Sequence, residues 1–507
     1  MDRDLVIGID SSTSATKAIA WTRTGVPAAE GRQSIPLHNP QPGWFEQDPE
    51  DWWGSTKVAL NQLTAKIDAS RVAALAISNQ RETFGLFTED GRALRPGTTW
   101  LDERARPQVA RFAESFGASR VHDITGKPSD VLPCLYRMLW FAEHEPEIFK
   151  RTARMADVHG FLVHRLTSRW ATSTASADPM GVLDMRAQSW SQEILRFADV
   201  DVRQLPELFR PGEVIGEVSA AAAAATGLKP GTPVIAGGGD GQCAGAGAGI
   251  TAPGRAYINM GTAVVSGSYG AAYVADTSFR TETAVADGGY IFEVCVRTGT
   301  FLVDWMAREL FGIDAAGQAG VMNALEAEAA HSPIGAGGVV VLPYWLGCMN
   351  PHWDSYARGV IAGLSGSTKR GDVYRALLEG IALDVAEATG RVAAATRVPI
   401  DSLVAIGGGS DSDRWLQIMA DAMARPVQRS ATREASSLGA AMAAARGAGW
   451  FASFSEASAA MTPPPVRTFE PDAKAAARYR DLRAIHADLW PALASWNARL
   501  AAFTERG

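Results

Sequence analysis

At 507 residues the chain is too long for a single hydrophobic core and calls for about two to four domains, each with an interior of its own. Apolar residues at 47% and charged residues at 20% match an ordinary globular protein and exclude a disordered one. Lys and Arg total 48 against 55 Asp and Glu, a net charge of −7 with no long block of one sign, so neither a nucleic acid nor an anionic membrane finds the clustered positive charge it needs. A neutral or locally handled small molecule suits this balance better.

Cys134, Cys243, Cys295 and Cys348 stand singly, with no C-x-x-C pair and no nearby pair of histidines. That usage fits a reduced, cytoplasmic chain and no metal framework. The opening "MDRDLVIGID" is too poor in apolar residues for a signal-peptide core, and no run of about 18 uncharged apolar residues occurs, so neither export nor a membrane span is expected.

In chain order, "LVIGID" reads as a strand, "SSTSA" as a turn, "TKAIAW" as a second strand and "TRTG" as another turn. "DPEDWWGSTKVALNQLTAKI" reads as a helix, its first acids supplying cap and first turn. "VAALAISN" is an apolar strand that ends on Gln80, Arg81 and Glu82, and "TFGLF" is a strand repeating the hairpin layout, closed by the turn "TEDG". Residues just past the carboxyl end of a buried strand are where such sheets bind ligands.

Helices follow in "VLPCLYRMLWFAEHEPEIFKR", in "SQEILRFADV" and over the Ala run at 220–225. "TPVIAGGGDGQCAGAGAG" is a short strand leading into a Gly-rich loop that carries an acid, and "GRAYINMGTAVVSGSYG" then repeats strand, small-residue turn and strand. The second half thus echoes the first, and the boundary falls near Gly249, dividing the chain into 1–249 and 250–507. Long helices close the chain at "DVYRALLEGIALDVAEATGRVAAA", "SDRWLQIMADAM", "SLGAAMAAARGAG" and "PDAKAAARYRDLRAIHADLWPALASWNARLAAF".

Three strand-end loops carry the chemistry. In "GIDSSTSATK" an acid ends a strand, hydroxyls fill a tight turn and Lys17 follows. Such a turn can cradle phosphate oxygens and Asp10 can hold a hydrated magnesium ion, though an Asp followed by a serine-rich hairpin turn is also common in any sheet protein; it is not a Walker loop, since G-x-x-x-x-G-K-[ST] is absent. "INMGTAV" is a second turn of this kind and "AIGGGSDSDRW" a Gly-rich strand-to-helix junction.

Together with "GWFEQDPEDWW", "TTWLDERA", "TASADPMGVLDMRAQSWS", "GGGDGQCAGAGAG" and "RGVIAGLSGSTKRGDVYRALLEG", these stretches resemble, in order and over essentially the whole chain, the FGGY carbohydrate kinases. The resemblance implies an α/β fold of two actin-like, ribonuclease-H-like domains with a cleft between them, as in hexokinase and the heat-shock chaperone ATPases. The N-terminal domain would be the sugar side and the C-terminal domain the nucleotide side.

The resemblance also implies roles. Asp240 would be the general base that takes the proton from the sugar hydroxyl, and Asp10 would hold Mg2+ through water. Thr13, Ser14, Lys17, Gly261 and Thr262 would face the ATP phosphates. Gly408 and Gly409 would border the adenine with Asp413 nearby, and Thr300 and Asp304 would flank the nucleotide. Gln80, Arg81, Glu82 and Trp100 resemble the acceptor site of glycerol kinases, whereas the chain as a whole is closer to xylulokinases. Leu132 and Val265 replace aromatic rings of the glycerol kinases and Gly241 replaces a glutamine, which points to a roomier pocket.

The expected activity is therefore ATP- and Mg2+-dependent phosphorylation of a small sugar or polyol, foremost a ketopentose such as xylulose, with glycerol or another polyol as the alternative. A chaperone or filament ATPase of the same fold would need no sugar pocket, and a sugar-responsive repressor would need a DNA-binding module that the sequence lacks. The resemblance leaves a homodimer open, with no interface patch legible.

Overall fold

The computed structural model describes residues 3–313 and 318–504. Its frame is two mixed sheets built to one plan. In the first, β1 (Leu5–Ser11), β2 (Ala15–Thr22) and β3 (Pro27–Ser34) form an antiparallel meander, and β4 (Val72–Asn79) runs parallel to β1. β5 (Val214–Glu217) is the antiparallel edge against β6 (Pro233–Gly239), which runs parallel to β4.

In the second sheet, β7 (Gly254–Met260), β8 (Val264–Gly270) and β10 (Tyr290–Val296) make the equivalent meander, with β9 (Arg280–Thr283) added outside β10. β11 (Ile400–Ile406) and β12 (Val427–Arg429) extend it in parallel from β7, and β13 (Arg467–Phe469) is its antiparallel edge. The internal echo read from the sequence is this repeated topology.

β4 is buried along its entire length, and β1 nearly so, because helices cover both faces of the first sheet. On one face lies α1 (Pro49–Thr64), capped by Asp48, whose carboxylate accepts from the Glu50 N–H at 2.9 Å. The other face is covered by a helix from far down the chain.

The Gly-rich stretch after β6, expected to be a loop, is instead the helix α2 (Asp240–Gly247). Glycine costs about 1 kcal/mol per position relative to alanine in a helix, so tertiary packing must offset it. It does so against α5 (Ala435–Gly447), which also lies on β1, β4 and β6. A Cβ on Gly439 would stand 1.9 Å from the Cys243 carbonyl oxygen, and one on Gly247 would stand 2.0 Å from that of Ala435. Gly8 meets the Ser437 carbonyl the same way at 1.9 Å, while the Ser437 hydroxyl donates to the Gly8 carbonyl at 2.9 Å and accepts from the Trp21 indole at 3.0 Å.

Two further readings change. "TFGLF" leaves the first sheet: the chain turns at Glu82, whose φ is +48°, and Phe84–Phe87 joins a small sheet with Glu46–Gln47, Gly97–Thr98 and Arg154–Asp157. The final helix is two, Ala473–Ala487 and Leu489–Thr504. Pro491 has no N–H for the Ala487 carbonyl and its ring would crowd it, so the first helix stops there. Among the described residues no helix is long and apolar enough to cross a membrane.

Gly439→Ala forces one methyl into a backbone-to-backbone contact and is expected to destabilise the protein by about 2–3 kcal/mol, read as a lowered denaturant midpoint at unchanged slope.

Candidate active site

Asp10, Gln80 and Asp240 sit at the carboxyl ends of the adjacent parallel strands β1, β4 and β6, so one edge of the first sheet brings together groups spread over 230 residues of chain. Asp10 pairs in register with Ser78, whose hydroxyl donates to its Oδ1 at 3.1 Å, and with Lys17 across the hairpin. Burial, reinforced by the charge of Asp240, pushes the Asp10 carboxyl up to about 7.

Asp240 opens α2, where the helix N-terminus favours a negative charge. Its Oδ1 accepts from the Gly241 N–H at 2.8 Å and from Arg81 Nε at 3.1 Å. Burial raises its pKa, and Arg81 opposes that rise. Its side chain keeps 40% of its surface exposed, against 8% for Arg81, so the carboxylate is accessible while its partner is buried.

Arg81 belongs to a buried ion cluster. Its Nη1 reaches both oxygens of Glu293, at 3.1 and 3.0 Å, and Glu82 Oε1 accepts from Arg280 Nη1 at 2.7 Å. Lys127 Nζ lies 3.2 Å from Glu282 and 3.7 Å from Asp178. Burial would raise the Glu293 carboxyl, but Arg81 and Arg280 overcome it and hold it down to about 2. At Glu82 burial prevails and its pKa is raised despite Arg280 and Arg81.

Gln80 is placed differently from the expectation. It is 1% exposed, its amide N–H donates to Gln47 Oε1 at 2.8 Å and its oxygen accepts from the Thr83 hydroxyl at 3.2 Å. Gln47 in turn donates to the Thr13 carbonyl at 2.7 Å, so Gln80 braces the hydroxyl turn. Trp100 donates its indole N–H to Thr13 Oγ1 at 2.9 Å, joining the expected acceptor wall to the expected phosphate loop. Ser14 at that turn is exposed, and Lys17 Nζ lies 2.7 Å from each carboxylate oxygen of Glu434.

On the second sheet, Gly261, Thr262 and Thr300 come together: the Thr300 N–H and hydroxyl both donate to the Gly261 carbonyl, at 2.9 and 3.0 Å, and the Gly299 N–H donates to that of Thr262. Gly407, at φ +83°, is fitted against Asn259 and Met260, which brings the Gly408 and Gly409 turn beside this loop. Gly408 faces open space. Asp304 is exposed one helical turn beyond Thr300. Asp413 opens α4 (Asp413–Met423) and turns to the edge strands, bonding Arg429 Nη2 at 2.5 Å and pairing with Arg467.

The space expected beside Gly241 is filled. A Cβ there would lie 2.8 Å from Glu293 Oε2 and 3.0 Å from Arg81 Nη2. Leu132 is buried, and Val265 packs partly buried in the core between the sheets.

Sequence reasoning missed Arg137, Lys127, Asp178, Arg280, Glu282, Glu293 and Glu434. Arg137 is fully buried and donates to the carbonyls of Glu82, Thr99 at 3.1 Å and Leu132 at 3.0 Å, gathering three expected pocket segments. A signal existed for the strand residues: Glu293 is a lone acid in the apolar "YIFEVCV", and Arg280 and Glu282 alternate in "FRTET", which puts both on one face.

The chain belongs to the FGGY family of carbohydrate kinases and is an ATP-dependent carbohydrate kinase with two actin-like lobes. Residues 5–247 match the family's N-terminal domain and residues 256–448 its C-terminal domain. Over 503 residues it is 31% identical to a xylulose kinase of Bacillus subtilis, covering 98% of this chain and 99% of the relative. It is 30% identical over 457 residues to a glycerol kinase of Koribacter versatilis, covering 87% and 89%. A ligand-bound xylulose kinase from Lactobacillus acidophilus superimposes with a TM-score of 0.92 at 25% identity, covering 98% and 99%.

The coupling between the two carboxylates is directly measurable. In a 13C-NMR titration Asp10 is expected to titrate near 7, and Asp240→Asn, which removes the repelling charge, to move it to lower pH.

Proposed function

We propose that the protein transfers the γ-phosphoryl group of ATP to a hydroxyl of a neutral ketopentose of the xylulose type. The carrying observation is the Asp240 carboxylate, partly exposed at the cleft and oriented by Arg81 at 3.1 Å. Asp240 takes the hydroxyl proton as that oxygen attacks the γ-phosphorus. The bond from phosphorus to the β-γ bridging oxygen breaks, leaving ADP and the sugar phosphate. Arg81, Glu82 and Trp100 form the acceptor side. Thr13, Ser14 and Lys17 serve the phosphates from the first lobe, and Gly261, Thr262, Thr300, Asp304, Gly408 and Gly409 serve the nucleotide from the second.

Mg2+ fits the donor chemistry of Asp10, since it is ordinarily held by one or two carboxylates together with water and phosphate oxygens. Among the described residues no group of three or more His, Cys, Asp or Glu is placed to hold a metal ion by itself. Bound there, Mg2+ would neutralise phosphate charge.

The names of the relatives support the ketopentose, and the charge of the site supports a neutral acceptor. Arg81, Arg280 and Lys127 are each already paired with one or more of Glu82, Asp178, Asp240, Glu282 and Glu293. A carboxylated sugar would have to compete with these carboxylates for each of the three cations. Glycerol is the second reading, favoured by the adjacent Arg81 and Glu82, which can fork onto neighbouring hydroxyls of any polyol.

Coupled ADP release across D- and L-xylulose, D- and L-ribulose, erythritol, glycerol and gluconate should peak on a ketopentose, with gluconate inert; a glycerol maximum would establish the second reading, and turnover of gluconate would refute the charge argument. Asp240→Asn should lower kcat by at least about a hundredfold while ATP affinity in calorimetry stays within about twofold. Full turnover by that variant would remove Asp240 from the mechanism.

A further inference from the structure

Arg81 and Glu82 are carried by the first lobe, yet each also has a side-chain partner from the second, Glu293 for Arg81 and Arg280 for Glu82. We propose that Arg280 and Glu293, on β9 and β10, are positioning residues that clamp Arg81 and Glu82 across the lobe boundary and thereby set acceptor affinity. The inference rests on the acceptor site described above and adds its second half.

Arg280 and Glu293 are directly opposite in the antiparallel β9–β10 pair and so share a face. Arg280 spans the boundary: Nε donates to Glu293 Oε1 at 2.8 Å and Nη1 to Glu82 Oε1 at 2.7 Å. Glu293 accepts from Arg81 Nη1 through both oxygens and from the Tyr257 hydroxyl at 3.0 Å. Arg81 therefore has Nη1 fixed from the second lobe and Nε on Asp240, so one guanidinium aligns the acceptor site and the base together.

Stability alone does not explain these charges. Exchanging a buried ion pair for apolar residues of like volume is often neutral or stabilising, and the rest of β10 is apolar. What the charges specify is direction. Glu82 is a non-glycine residue at φ +48°, its main-chain carbonyl held by Arg137 and its side chain by Arg280. Gly241 supplies an independent sign of the same clamp: any side chain there would strike Glu293 and Arg81 where they meet, at 2.8 and 3.0 Å.

The test uses the full-length protein and the best neutral acceptor of the panel. Arg280→Met should raise the acceptor KM about tenfold or more, with the ATP Kd within about twofold and Arg280→Lys recovering part of the loss. Gly241→Ala, which removes no charge, should raise the acceptor KM in the same direction. Glu82→Gln combined with Arg280→Met should raise the acceptor KM by less than the product of the two single effects, because the two changes share the Glu82–Arg280 contact.

The clamp is overturned if the acceptor KM of Arg280→Met and of Gly241→Ala stays within about twofold of the unmodified protein, or if acceptor KM and ATP Kd rise together with a lower Tm. If the unmodified protein phosphorylates no sugar, the acceptor reading fails separately. Hydrogen exchange then decides the clamp: faster exchange at residues 79–87 in Arg280→Met, with the rest of the first lobe unchanged, upholds it, and unchanged exchange there rejects it.

Discussion

The contact of helices α2 and α5 at backbone distance is the constraint on which the rest of the structure depends. The missing Cβ atoms of Gly247 and Gly439 let each helix approach a carbonyl of the other, and Gly8 lets α5 settle onto β1. Burial of many small apolar groups in this seam replaces the intrinsic helix propensity that "DGQCAGAG" lacks. Because Asp240 opens one of these helices and Glu434 immediately precedes the other, the seam also fixes a carboxylate at the cleft and the partner of Lys17.

The charges of the site then follow from desolvation and pairing. Desolvation, with the charge of Asp240, raises the Asp10 carboxyl to about 7, while at Asp240 the adjacent Arg81 opposes the rise. Beneath them, Arg81 and Arg280 hold Glu293 ionised against the cost of burial. A kinase of this type needs little covalent chemistry from its side chains, and most of what it supplies is the orientation of two reactants and one proton acceptor. The proposed arrangement would answer that need: the first lobe would carry the acceptor residues and the second aim them through Arg280, and the Trp100 indole bonded to Thr13 joins the proposed acceptor wall to the hydroxyl turn.

Much of this was legible in the sequence. Apolar runs that end on polar residues identified β1, β4 and β6, and the strand, small turn and strand pattern found both lobes because the repeated topology demands the same hydrophobic order twice. Arg81, Glu82, Asp10 and Asp240 could be singled out because each stands at the carboxyl end of such a strand. Gln80 could not be told from its neighbours, since nothing local reveals that its amide turns inward to Gln47. The Gly-rich helix was misread for a related reason: its stability belongs to contacts with residues about 200 positions away.

The sequence by itself thus determined the two-lobed plan, the strand-end loops and the residue types available for phosphoryl transfer, because hydrophobic period and turn chemistry are local properties. Only the tertiary structure decided which charges meet. Arg280, Glu282 and Glu293 are about 200 positions from Arg81, and Arg137 collects carbonyls from three separate loops. Buried ion pairs depend on distance and desolvation, which exist only once the sheets have packed, and the same packing filled the space that Gly241 left open in the sequence.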